Sequence, residues 1–131
     1  MSLTRLSVKT HGQTEFINIT AEVRSFLESE KIDHGLCHVY IPHTTAGVTI
    51  NEAADPDVEK DILKELNKIV PFRDNYAHLE GNSAAHIKTT IVGSSVTIPI
   101  AEGRLNLGTW QGIFFCEFDG PRNRSVYLTI L

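Results

Sequence analysis

Apolar residues recur along this chain in two rhythms. A period of two marks short strands over residues 3 to 9 (LTRLSVK) and 14 to 19 (TEFINI), with His11-Gly12 between them as a hairpin turn. Thr20 then stands as an N-cap for AEVRSFLESEKI, where Val23, Phe26, Leu27 and Ile32 recur at near-helical spacing and Gly35 lies just past the end. The β-branched and aromatic run LCHVYI, residues 36 to 41, predicts a strand that Pro42 interrupts. A second strand, AGVTIN, follows, and the two form a pair joined at PHT.

The second helix carries its own punctuation. Asp55 is placed to cap it, Pro56 fits the first helical position and Asp57 complements the positive end of the dipole. Val58, Ile62, Leu63, Leu66, Ile69 and Val70 fall on one face, and Pro71 stops the helix. Residues 72 to 83 turn polar and glycine-containing, a loop long enough to suggest function. Beyond it, residues 86 to 92, 95 to 100, 111 to 118 and 125 to 131 read as strands. Two main helices among many strands, without βαβ alternation, predict an α+β fold with an antiparallel β-sandwich-like core. The 131 residues fit a single domain, 1 to 131.

Composition narrows the classes of function. Hydrophobic residues make up 41% and charged residues 21%, a globular mixture rather than a disordered one. A formal charge of −4 provides no general attraction to nucleic acid or anionic lipid, so any phosphate binding must come from local cations. The N-terminus lacks a continuous apolar stretch, and no segment approaches the roughly 20 apolar residues needed to span a bilayer. A cytoplasmic protein without a membrane or nucleic-acid partner is expected. Cys37 and Cys116 sit in apolar runs and read as buried free thiols.

Chemistry concentrates in two segments. HLEGNSAAH, residues 78 to 86, runs directly into Ile87-Lys88, while HTTAGVTINE begins at His43. If both were regular strands, His43, Thr45, Thr49 and Asn51 would share a face, as would His86, Lys88 and Thr90. His43 and His86 would then converge, with His78 and Glu80 brought over them. Three imidazoles with one open position suit zinc or another divalent first-row ion. The acidic group Asn51, Glu52, Asp55, Asp57 and Asp61 makes magnesium conceivable, although capping and solvation account for most of it. In GRLNLGTWQG, Trp110 and Gln111 are candidates for a pocket wall. Arg104, Arg122 and Arg124 are ordinary loop charges unless one faces the cleft with Lys88 to clamp an anion.

The combination of HTTAGVTINEAADPDV, HLEGNSAAHIKTTIVGSSVTIPI and GRLNLGTWQGIFFCEFDGPRNR resembles, in order and spacing, the YjbQ-like family, described as secondary thiamine-phosphate synthase enzymes. The resemblance spans roughly residues 35 to 131. It implies a compact α+β fold on an antiparallel sandwich, a homotrimer, and metal binding through His43, His78 and His86, with a site that a neighbouring subunit completes.

Three functions use these residues. A thiamine-phosphate-synthase-like enzyme would condense a pyrimidine pyrophosphate with a thiazole phosphate. Lys88, with Arg104 or Arg124 and a divalent ion, would stabilise the departing phosphates, while His86 or Glu80 transfers protons. Thr44, Asn51, Glu52, Trp110 and Gln111 would contact substrate. A metal-dependent hydrolase would use Glu80 or Glu52 as base to a metal-activated water. The third is a non-catalytic protein that binds a metal or a small phosphorylated metabolite.

Overall fold

The computed structural model describes residues 3 to 131. The elements run β1 (Leu3–Lys9), β2 (Glu15–Asn18), α1 (Thr20–Glu30), β3 (Gly35–Tyr40), β4 (Ala46–Glu52), α2 (Pro56–Ile69), α3 (Ser83–Val92), β5 (Ser95–Ala101), β6 (Arg104–Leu105), β7 (Gln111–Glu117) and β8 (Asn123–Ile130). They form a five-stranded sheet, β1-β8-β3-β5-β6, and a three-stranded sheet, β2-β7-β4, with antiparallel pairing throughout. The α+β, sandwich-like expectation therefore stands. The two expected helices are present, and a third, α3, joins them.

Strand β7 explains the layering. Every residue from Gly112 to Phe118 is buried, the mark of a strand covered on both faces. Ile113 and Phe115 enter the main core with Val39, Ile98, Val126 and Leu128 of the large sheet. Val23, Phe26 and Leu27 of α1 belong to the same core. The alternate residues Phe114 and Cys116, with Phe118 just beyond, join Ala85 of α3, and Leu63 and Leu66 of α2 pack against this second core. Helices α2 and α3 thus cover the outer face of the small sheet. Cys37 and Cys116 are free thiols, both fully buried. Burial pushes the Cys37 thiol up to about 11, and the Cys116 thiol is pushed up as well.

Several local expectations change. β1 and β2 do not form a hairpin: β1 pairs with β8 and β2 with β7, so residues 10 to 14 cross between sheets. Likewise β3 and β4 do not pair, and Ile41 to Thr45 carry the chain from one sheet to the other. Thr20 is the first residue of α1 rather than its cap. Its hydroxyl accepts from the Ile113 amide at 2.8 Å and donates to Asn18 Oδ1 at 2.6 Å, tying the helix start to β7. The helix ends at Glu30, before Ile32, with Lys31 left-handed at φ 54°.

Helix α2 begins as its sequence predicts, with Asp55 Oδ1 accepting from the Asp57 amide at 2.9 Å and Pro56 in the first turn. The largest correction is α3, where residues 86 to 92 were expected as a strand. Its buried positions, Ala84, Ala85, Lys88 and Thr89, follow helical spacing, while His86, Ile87, Thr90 and Ile91 lie on the outer side. Burial against β4 and α2 overrides the β preference of its branched residues. Gly93, at φ 101°, ends the helix.

The seat of α3 requires a glycine. A Cβ at Gly47 would lie 2.5 Å from the Gly93 carbonyl oxygen, which also accepts from the Val48 amide at 3.1 Å. Gly47→Ala should therefore push α3 off β4 and lower stability by about 1–3 kcal/mol. A urea titration checks this: the midpoint should fall with little change in slope.

Candidate functional site

At the end of the sandwich where β7 leaves the small sheet and β8 enters the large one, a buried ion pair joins the two. Glu117 is wholly buried, and its carboxylate accepts from both Nε and Nη2 of Arg124, the Nε bond at 2.8 Å. The Thr10 hydroxyl at 2.7 Å and the Asp119 amide at 3.0 Å complete its shell. Arg124 Nη2 also donates to Thr45 Oγ1 at 2.9 Å. Burial alone would raise the Glu117 carboxyl, but these donors outweigh it and hold the pKa below the ordinary value.

His43 sits beside this pair. Its Nε2 accepts from the Ser125 amide at 2.9 Å, and since a backbone amide only donates, the proton of the neutral ring is on Nδ1. Burial, reinforced by the Arg124 charge, lowers its pKa. His43 is thus a neutral imidazole with one N–H to offer.

A cavity of about 800 Å³ opens here, lined by His43, Thr44, Thr45, His78, Glu80, Asn82, His86, Asp119, Arg122 and Arg124 among others. The His78 and His86 rings stand perpendicular with centroids 5.5 Å apart. His78 Nε2 lies 3.8 Å from Glu80, an exposed pair of small energetic weight. Asp119 accepts from Arg122 Nη2 at 3.1 Å and from Asn82 Nδ2 at 3.0 Å. The buried Asn82 Oδ1 has no partner among the described residues.

The structure therefore gathers His43, Thr44, Thr45, His78, Glu80, His86, Arg122 and Arg124 of the residues singled out in the sequence. It does not bring Lys88 to them. On a helix, residues two apart point about 200° from each other, and Lys88 is fully buried on the far side. There its Nζ donates to Asn67 Oδ1 at 2.6 Å and lies 3.9 Å from the Phe72 ring centroid. Burial lowers its pKa. Asn51, Glu52 and Gln111 occupy the opposite end of the β4–β7 pair, and Trp110 adjoins them. Arg104 borders a separate cleft with Arg24 and Glu28. The shared-face argument for His43 and Asn51 fails because His43 precedes β4 on the crossing segment.

Among the described residues, no three His, Cys, Asp or Glu side chains are grouped to hold a metal. His43 gives its lone pair to the Ser125 amide. Two residues not singled out in the sequence also line the cavity: Asp119 of the DGPRNR turn, and Asn82.

A family model described as UPF0047 protein YjbQ-like matches residues 4 to 131. UPF0047 protein YugU of Bacillus subtilis is 50% identical, with 98% of each chain covered. UPF0047 protein MJ1081 of Methanocaldococcus jannaschii is also 50% identical, over 98% of this chain and 94% of its own. Among solved structures, a conserved YjbQ/UPF0047 protein of Clostridium acetobutylicum superposes with a TM-score of 0.96 at 51% identity, covering 98% of this chain and 99% of its own. The Aeropyrum pernix protein APE1520 gives 0.96 at 39%, covering 100% and 98%.

Because Glu117 titrates lower in the folded than in the unfolded chain, its stabilisation is complete above its ordinary pKa of 4.5 and is lost as pH falls through the folded value. Glu117→Gln leaves Arg124 buried without its counterion and should cost about 3–5 kcal/mol at neutral pH. Denaturant titrations of both proteins between about pH 7 and about pH 3 should show the gap narrowing in acid.

Proposed function

We propose, from the premise that the chain belongs to the UPF0047 YjbQ-like family, that it is an enzyme acting on a small phosphorylated metabolite in the cavity around His43, His78 and His86. The observation that carries this reading is the convergence of the perpendicular imidazole pair with Arg122 and the fixed Nδ1–H of His43 in one cavity. The lining charges Arg122 and Arg124 are balanced by Glu80 and Asp119. An anion is therefore held by directed N–H donors rather than by net positive field.

In this reading Arg122 and His43 receive phosphate oxygens, and Thr44 contributes its hydroxyl. His86, with His78 beside it, moves a proton to or from the reacting group, and Glu80 orients His78. A donor group on the substrate would satisfy Asn82 Oδ1. The thiamine-phosphate-synthase-like condensation, a pyrimidine pyrophosphate joining a thiazole phosphate with loss of pyrophosphate, belongs to this class of reaction. Its leaving group would rest on Arg122 and His43, in place of the distant Lys88 and Arg104.

The same proposal includes a homotrimer. No residue of α2 is fully buried, Ile69 is 60% exposed and Trp110 is 64% exposed, so apolar surface is left for another copy to cover. Such packing would give Asn51, Glu52, Trp110 and Gln111 a route to a neighbour's cavity.

Release of phosphate and pyrophosphate from phosphate esters, and from the pyrimidine and thiazole pair, tests the reaction. His86→Ala should lower turnover by about 10²-fold or more, and Arg122→Ala should act mainly on KM. Turnover unaffected by His86→Ala would sink the assignment. Sedimentation velocity should give a trimer, and Ile69→Lys should shift it toward monomer.

A further inference from the structure

The imidazole pair has a second side. Tyr76, Ala77, His78, Ser83, His86 and Ile87 line an adjoining, mostly apolar hollow of about 430 Å³. His78 and His86 also line the polar cavity, so the two rings form a wall common to both compartments. Each wall residue is followed or preceded by an apolar neighbour on the hollow's side: Ala77 before His78 and Ile87 after His86. Ile87 is 38% exposed and belongs to neither core, so packing of the fold does not account for its place. Tyr76 is fixed, its hydroxyl donating to the Pro71 carbonyl at 2.5 Å. Both compartments fall in the size range of small-molecule sites.

We infer that the ligand is bipartite: an anionic phosphate group held in the polar cavity and an aromatic or other planar apolar group in the Tyr76–Ala77–Ile87 hollow, with the connecting bond at the His78–His86 wall. This deepens the proposed function and rests on it. A ring in the hollow leaves water and contacts Ile87 and the Tyr76 face. The phosphate remains with Arg122 and the His43 Nδ1–H. The wall between them is where a proton-transferring imidazole reaches the linking oxygen of an aryl or arylmethyl phosphate. Compounds lacking either half would engage only one compartment.

Calorimetric titration with inorganic phosphate and with phenyl phosphate separates the two statements. Phenyl phosphate should bind about tenfold tighter or more, the increment expected for burying a ring. Ile87→Ser and Ala77→Trp, the first removing ring contact and the second filling the hollow, should reduce that ratio toward one while leaving inorganic phosphate affinity unchanged. Arg122→Ala should weaken both ligands by a similar factor and preserve the ratio. Both hollow substitutions are at partly or well exposed positions, and far-ultraviolet circular dichroism verifies that the variants are folded. If phosphate binds but phenyl phosphate binds no tighter, or if the ratio survives both hollow substitutions, the bipartite ligand is wrong and the phosphate site stands. A hollow filled by a neighbouring copy in solution would give that same result. If neither ligand binds, the phosphate reading falls and this inference falls with it.

Discussion

The buried contact between Glu117 and Arg124 fixes where everything else at the site can be. Glu117 ends β7 of the small sheet, and Arg124 is the second residue of β8 of the large one. Their fork therefore sets the separation of the two sheets at one end. Thr10 and Thr45 are bound to the same pair, and both lie on segments that cross between sheets. Two charges inside a protein need further hydrogen bonds to offset their lost hydration, and here the Glu117 carboxylate also accepts from Thr10 and the Asp119 amide while Arg124 donates to Thr45. One residue beyond Arg124, the Ser125 amide orients His43. The ion pair thus acts on the cavity chiefly by placing the backbone that holds the imidazole, while burial of the ring, reinforced by the Arg124 charge and opposed by that of Glu117, lowers its pKa.

Much of this arrangement was legible in the residues. Asp55-Pro56 and the apolar stripe behind it announced α2, and the β-branched runs announced β3, β4, β5, β7 and β8. The clustering of His78, Glu80 and His86 around a polar loop placed them near one another, and the structure finds them lining one cavity together with His43. Strand partners were a different matter. Short turns at His11-Gly12 and at PHT look like hairpins locally, yet each is a crossing between sheets. That choice depends on which long-range partner, β8 or β7, is already in place.

The error at α3 had larger consequences than its length suggests. Ile87, Thr89, Thr90, Ile91 and Val92 carry strand preference, and strand parity put Lys88 beside His86. A helix separates them, turning the lysine into a structural tie to Asn67 and Phe72 and leaving Ile87 to face a hollow. The local signals for a helix were present in Ala84-Ala85 and the closing Gly93, but burial against β4 decided the matter. Glu117 gave a subtler signal. A lone acid inside IFFCEF requires a cation, and Arg124, after the turn, was the near candidate.

Both cysteines lie in the interior, one in each core, with Cys37 held among the large sheet's residues and Cys116 under the helices. Their raised pKa values keep the thiolate fraction negligible at neutral pH, and their burial denies access to reagents. The folded natural chain should consequently react little with maleimides and iodoacetamides. A single cysteine introduced on the loop around Leu79, which is 99% exposed, would carry a fluorophore or spin label without removing either native thiol. The interior chemistry of this small protein thus leaves its surface free for site-specific spectroscopy next to the histidine cavity.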